Sequence, residues 1–248
     1  MIVLPAMPPA QKASWEALFE IHEAMPEHWT LVGGQAVFLH SVERDAALVR
    51  ATSDADAGLD LRMKPDILLA FTTLLTKLGF QSDGRSPSGH EHRWTRGQAK
   101  IDLLIPRFTG ERAESRKGVT GGTTIAAPAL QQALDRSETV KVNADGLIGT
   151  VNRVSFIGCL IGKAAALRII DDPGRERHLT DALTLAGVMS RRDIRGVEFT
   201  PSEKAHLANL VGHLSHSSRV VDGHPSGQDG YSRLYALASG WNPADPNE

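Results

Sequence analysis

Cysteine is almost absent from this chain. Cys159 stands alone among 248 residues, which excludes an intrachain disulfide framework and a Cys-rich zinc module and fits a reducing compartment. Charge of one sign is lacking too. With 27 Lys and Arg against 29 Asp and Glu, the formal net charge is −2, so any basic surface for nucleic acid has to be local. No apolar run approaches a membrane span. The opening MIVLPAMPPAQKASWEALFE has no basic n-region and no long apolar stretch, so it does not read as a signal peptide. There is no internal repeat and no long low-complexity tract. These absences leave the expectation of a soluble cytoplasmic protein. Its 41 % hydrophobic content suffices for a sizeable core in one large domain or two modest ones.

Periodicity predicts an α+β chain. Trp15, Leu18 and Phe19 at i, i+3, i+4 place a helix over 9–25, with Met25 continuing the stripe past His22. WTLVG at 29–33 reads as a strand running into a glycine turn, and a helix enters through Gly33-Gly34. A strand follows around 54–62, then a helix from Pro65 to Leu78 closed by Gly79. Segments 91–96 and 99–105 read as strands joined by a Gly97-Gln98 turn. Residues 107–126 are glycine-rich, basic and irregular. From Ser155 onward three amphipathic segments predict helices, the first pair broken by Asp171-Asp172-Pro173-Gly174. The reading is a mixed α/β part over 1–125 and a mainly helical part over 126–248, with the boundary inside 107–155. PADPNE at the terminus reads as frayed.

The stretch LVGGQAVFLHSVERDAALVRATSDADAGLDL carries the chemistry. Gly33-Gly34 lets backbone approach a ligand at a strand-to-helix turn, where helix amides favour phosphate. Asp54 and Asp56 are two apart in a predicted strand, so alternation puts both on one face. Adjacent carboxylates repel unless they share cations, and Mg²⁺ (or Mn²⁺) is commonly held by one or two carboxylates plus substrate phosphates. Asp102, a charge inside the apolar strand KIDLLI, has to be paired, metal-bound or solvent-facing.

The residues Leu31-Val32-Gly33-Gly34, Arg50-Ala51-Thr52-Ser53-Asp54-Ala55-Asp56 and Lys100-Ile101-Asp102-Leu103-Leu104 resemble the polymerase-β nucleotidyltransferase superfamily. Within it the chain is most similar to the AbiEii/MenT-type toxin nucleotidyltransferases. Lys163, Ala166 and Leu167 resemble the family's K-x-x-A-L-x-x-R helix, and Arg177 and Asp181 the ends of its R/K-D-x-x-D motif. The resemblance spans Trp29 to Gly187. Ala57-Gly58 replaces the large apolar residue that often follows the second Asp, and His178 stands at the first Asp of the C-terminal motif.

The resemblance implies a nucleotidyltransferase-like mixed sheet with flanking helices and a helical C-terminal half. It also implies transfer of a nucleoside monophosphate from an NTP, with pyrophosphate leaving. Asp54, Asp56 and Asp102 would hold metal ions in a two-metal arrangement, and Asp102 would serve as general base. Gly33, Gly34, Thr52, Lys163 and Arg177 would contact the nucleotide, Asp181 would orient Lys163 or the nucleotide, and Arg50 would support the carboxylates. The implied acceptor is the tRNA 3′ end, and the implied partner an antitoxin protein. Two alternatives stay open: a non-catalytic nucleotide- or partner-binding protein of the same fold, and a small-molecule nucleotidyltransferase of the aminoglycoside-modifying kind.

Plainer readings stand beside these. Asp-x-Asp alone fits a solvated strand face, Asp102 alone fits a salt bridge to a nearby arginine, and Asp60 reads as a strand-end surface residue. Lys163, Arg177 and Asp181 fit ordinary helix-surface charges. His90 and His92, and His213 and His216, lack further ligands for zinc. Trp15, Trp29, Trp94 and Cys159 read as packing residues, with Trp241 covering a terminal helix. Arg85 to Lys117 holds eight Lys or Arg against four Asp or Glu, a patch that suits either an RNA backbone or solvent. With only Trp94 and Phe108 as aromatics, stacking on bases is weakly signalled.

Overall fold

The computed structural model describes residues 1–46, 52–107, 110–169, 172 and 174–240. Arg50, Phe108, Trp241 and the terminal PADPNE lie outside the described residues. The chain divides into two compact units, Met1–Leu39 with Ala51–Ser155, and His40–Arg50 with Phe156–Glu248.

The first unit is a mixed sheet with flanking helices. Its elements are β1 (Ile2–Leu4), α1 (Pro9–Ala24), β2 (Trp29–Val32), the start of α2 (Gly33–Val42), β3 (Ala55–Leu59), α3 (Ile67–Lys77), β4 (Gln81–Ser82), β5 (Arg93–Arg96), β6 (Ala99–Pro106), α4 (Glu111–Glu114), β7 (Ile125–Ala127), α5 (Leu130–Asp135), β8 (Ser137–Ala144) and β9 (Leu147–Val154). The strands lie in the order β1-β8-β9-β2-β3-β6-β5-β4, and β7 pairs β6. β3 runs parallel to β6 in the middle of the sheet, and β5 runs antiparallel to β6 on its other side.

Local chemistry explains these elements. Pro9 opens α1, where a missing N–H costs nothing. The buried stripe of α1 continues through Ile21, which is fully buried, whereas Met25 lies past the helix end. α3 is closed by Gly79 at φ +85°, its amide on Thr76 O. Gly97 at φ +57° turns β5 into β6, with Arg96 opposite Ala99. Trp15, Trp29 and Trp94 are all buried in this unit. β3 is shorter than predicted. Asp60 follows it, and its carboxylate accepts from the amides of Arg62 and Met63; it is buried rather than a surface residue, because those amides need an acceptor at the strand end.

The predicted division after residue 125 falls inside the sheet. β8 and β9 form a hairpin whose two loop residues, Asp145 and Gly146, both have positive φ (53° and 88°), the requirement of a type I′ turn. β9 then pairs β2 through Arg153 and Leu31, and β8 pairs β1. These ladders bind 137–154 to the first unit, which ends at Ser155. The irregular segment 107–126 contains the short α4 and leads into β7.

The second unit is helical: the end of α2, then α6 (Phe156–Ala166), α7 (Arg175–Val188), α8 (Arg191–Ile194), α9 (Pro201–Ser215), α10 (Ser218–Asp222) and α11 (Gly227–Ala238). α9 begins with a capping box, in which Thr200 and Glu203 satisfy each other's amides. No helix among the described residues is long and apolar enough to cross a membrane.

In the first unit the ring of Phe19 on α1 lies against the backbone of Gly149 on β9; a Cβ built there would sit 2.1 Å from the ring. Gly149→Ala therefore overpacks this contact, and we expect it to lower unfolding free energy by about 1–3 kcal/mol, read as a shifted urea midpoint. An unchanged midpoint would contradict the packing described.

Candidate active site

Strand pairing sets two of the three predicted carboxylates side by side. Asp56 on β3 is the register partner of Asp102 on β6, and paired residues on neighbouring strands face the same way. Asp54 stands two residues before Asp56, just ahead of β3. The approach to β3 is fixed by buried polar side chains. Gln35, in the first turn of α2, donates to Thr52 O at 2.9 Å and accepts from Gln11. Ser14 of α1 donates to Ser53 O at 2.9 Å and accepts from Lys100 N, the second residue of β6. Thus Thr52 lies in a segment tied by its carbonyl, and Asp54 is held in place from both flanking helices.

Gly33 supplies the other wall. It follows β2 at φ +68°, and a Cβ built on it would lie 1.8 Å from Asp56 Oδ2. Only glycine lets the Asp56 carboxylate press against this strand-to-helix turn. Gly34, the next residue, is buried in the first turn of α2.

The cation that joins these carboxylates is Arg93, a residue sequence reasoning did not assign. It lies on β5 directly opposite Asp102. Its Nε donates to Asp102 Oδ1 at 2.8 Å and its Nη2 to Asp102 Oδ2 at 2.7 Å, a two-pronged grip. The same Nη2 donates to Asp54 Oδ2 at 2.9 Å. Asp54 Oδ1 in turn accepts from Ser53 Oγ at 2.8 Å. The hydrogen bond it donates to Asp102, opposed by partial burial and reinforced by the charges of Asp102, Asp54 and Asp83, raises the Arg93 pKa further above its ordinary value. The guanidinium is a permanent cation here. The signal for it was present in the sequence: Arg93 lies one strand away from Asp102 across a predicted hairpin, so register alone names it.

This arrangement bears directly on metal binding. Each oxygen of Asp54 and Asp102 already accepts a hydrogen bond, three of the four contacts coming from Arg93. Among the described residues no three His, Cys, Asp or Glu side chains gather as a metal-holding group. The donor set itself, carboxylate oxygens alone, suits a hard divalent ion. One cationic nitrogen already touches Asp54 and Asp102 at once, so these two can share a cation.

The remaining predicted residues belong to the helical unit. Lys163 of α6 is buried, its Nζ 2.7 Å from Asp181 Oδ2 on α7, also buried. The two form a desolvated ion pair, in which removing either partner leaves an uncompensated charge. His178 lies 2.7 Å from Asp172 Oδ2 through Nε2. Burial, with the Lys163 charge second, pushes the His178 pKa down to about 4, despite the opposing Asp172 hydrogen bond. Arg177 is half exposed, 3.5 Å from Asp172.

The basic segment is partly spoken for as well. Arg85 pairs with Glu91, and Arg96 with Glu20 while stacking over Phe80. Together with Arg93 these engagements reduce the positive surface offered to RNA.

The fold is nucleotidyltransferase-like, with a helical C-terminal part. The crystal structure of an antigenic nucleotidyltransferase-like protein from Paracoccidioides brasiliensis is similar to this chain with a TM-score of 0.52 and 15 % sequence identity, covering 89 % of this chain and 95 % of that one. No family model matches the chain, and no curated protein does. At that identity the likeness is one of fold.

Two measurements test this geometry. Gly33→Ala forces a positive φ on alanine and drives a methyl into Asp56, so we expect a loss of about 1–3 kcal/mol by urea unfolding; stability equal to the parent would mean Asp56 does not rest there. For His178, the unfolded chain takes up the proton near pH 6.5 and the folded chain only near 4. Its contribution to stability is complete above pH 6.5 and drains away as pH falls towards 4. The stability lost between pH 7 and 4.5 should shrink in His178→Gln, and an equal loss in both proteins would remove His178 as a source.

Proposed function

We propose that this protein is a nucleotidyltransferase that moves a nucleoside monophosphate from an NTP to an acceptor hydroxyl. The observation that carries the reading is the register of β3 on β6, which sets Asp56 beside Asp102 with Asp54 sharing the same cationic nitrogen. Three carboxylates on or beside adjoining strands, next to a glycine turn opening a helix, would suit a polyphosphate and its counter-ions. The likeness of fold supports the same reading at a coarse level.

Asp54, Asp56 and Asp102 would hold Mg²⁺ or Mn²⁺. Bound there, such ions supply charge neutralisation at the phosphates and a lowered pKa at the attacking hydroxyl. Asp102 would accept the hydroxyl proton. Gly33 and Gly34 bring backbone amides of the first turn of α2 to the phosphates, because the leading N–H groups of a helix lack intrahelical partners. Thr52 supports the approach to Asp54. The roles that the resemblance gives Lys163, Asp181 and Arg177 belong to the same proposal: charge on the triphosphate from Lys163 and Arg177, with Asp181 fixing Lys163. By that resemblance, the acceptor is the 3′ end of a tRNA and the protein is a toxin restrained by an antitoxin.

One observation favours a second reading. Arg93 already bridges Asp54 and Asp102, as expected of a protein that binds a nucleotide or a partner and does no chemistry.

Incubation with each labelled NTP, Mg²⁺ and total tRNA separates the readings. The transferase reading expects label on RNA and released pyrophosphate, both falling by about two orders of magnitude or more in Asp56→Asn and Asp102→Asn. Nucleotide binding without pyrophosphate from any NTP would establish the second reading. Transfer to an aminoglycoside and not to RNA would reassign the acceptor.

A further inference from the structure

The ion pairs of Arg93 connect three strands' worth of charge. Asp102 on β6 faces Arg93 across an antiparallel ladder, so the position of the guanidinium is set by backbone pairing as well as by its own side chain. Its Nε and Nη2 take both oxygens of Asp102, and Nη2 also takes Asp54 Oδ2. A lysine has one nitrogen and cannot span this set; the planar fork can. The Arg93 side chain is about one third exposed, at 32 %, so it has a way out to solvent. Asp102, in contrast, is almost buried, and two carboxylates left this close without a cation would repel each other in a region partly shielded from water.

We propose that Arg93 is an internal counter-cation that holds Asp54 and Asp102 in position before a divalent ion binds and competes with that ion for the same oxygens. The inference rests on the nucleotidyl-transfer reading for the identity of the carboxylates as metal ligands. Arg93 is a positioning residue in this scheme. It preserves the convergence of the carboxylates when they carry no metal, and a divalent cation approaching Asp102 meets the guanidinium at both carboxylate oxygens. Two consequences follow from the electrostatics. Metal affinity of the parent protein is lowered by the competition, and removal of the competitor transfers the stabilisation of the site from arginine to metal. A residue with only a packing role would give neither.

The test is Mn²⁺ binding without nucleotide, by electron paramagnetic resonance of free Mn²⁺, together with thermal unfolding across a Mn²⁺ titration. Parent protein is compared with Arg93→Gln and Arg93→Lys. Arg93→Gln should bind Mn²⁺ at least about tenfold more tightly than the parent, since a unit positive charge in contact with the ligands is gone. Its melting temperature should be lower than the parent's without metal and should rise more steeply with Mn²⁺. Arg93→Lys, which keeps the charge but one nitrogen, should fall between the two and serves alone if Arg93→Gln folds only with metal. Equal or weaker Mn²⁺ binding in both variants would overturn the proposal, as would no measurable Mn²⁺ binding in any of the three proteins. Label transfer by a parent protein whose variants bind Mn²⁺ no more tightly would leave the transferase reading standing and remove Arg93. Tighter Mn²⁺ binding by Arg93→Gln in a protein that transfers nothing would do the reverse.

Discussion

Like charges do not gather unless something holds them, and in this protein the holding force is strand pairing backed by one arginine. The parallel ladder of β3 on β6 fixes Asp56 opposite Asp102. Hydrogen bonds along two central strands outweigh the repulsion of carboxylates at their ends, because the strands are buried on an apolar core and cannot slip register without exposing it. Arg93 then reduces the remaining repulsion from the far side of β6. The rest of the first unit serves this junction. α1 and α2 contribute Ser14 and Gln35, which tie down the residues leading to Asp54, and the glycine turn at Gly33 gives Asp56 room.

A site built this way is arranged for a cation and already contains one. Carboxylates closed by an internal guanidinium and carboxylates that bind a metal are two states of the same electrostatic problem. The helical unit holds a second buried arrangement, Lys163 with Asp181, with His178 kept uncharged at neutral pH beside it. There the like-charge pressure is between Lys163 and a protonated His178. Burial resolves it by keeping the histidine neutral, where the sheet resolves its own by recruiting an arginine.

Much of the element pattern was legible in the sequence, since it depends on local chemistry. Pro9 and Gly79 bound their helices, and the Gly97-Gln98 turn joins β5 to β6. The β8–β9 hairpin was legible too, in TVKVNA-DG-LIGTV, because Asp-Gly between alternating apolar residues is a type I′ signal. It passed unassigned, and the division after 125 followed from that omission. The burial of Asp60 was not legible, since the amides of Arg62 and Met63 that it satisfies are created only by the turn after β3.

By itself the sequence determined the α+β class, the acidic residues at Asp54 and Asp56, the charge inside the strand at Asp102 and the glycine turn. Each is a property of residues a few positions apart, where periodicity and backbone freedom act. Only the tertiary structure decided that Asp56 and Asp102 share a register, that 137–154 completes the sheet, and that Arg93 reaches Asp54 as well as its hairpin neighbour Asp102. Those contacts join residues 39 and 46 positions apart along the chain, Asp54 with Arg93 and Asp56 with Asp102. Local propensity carries no information over that distance; the pairing of whole strands around a buried core does.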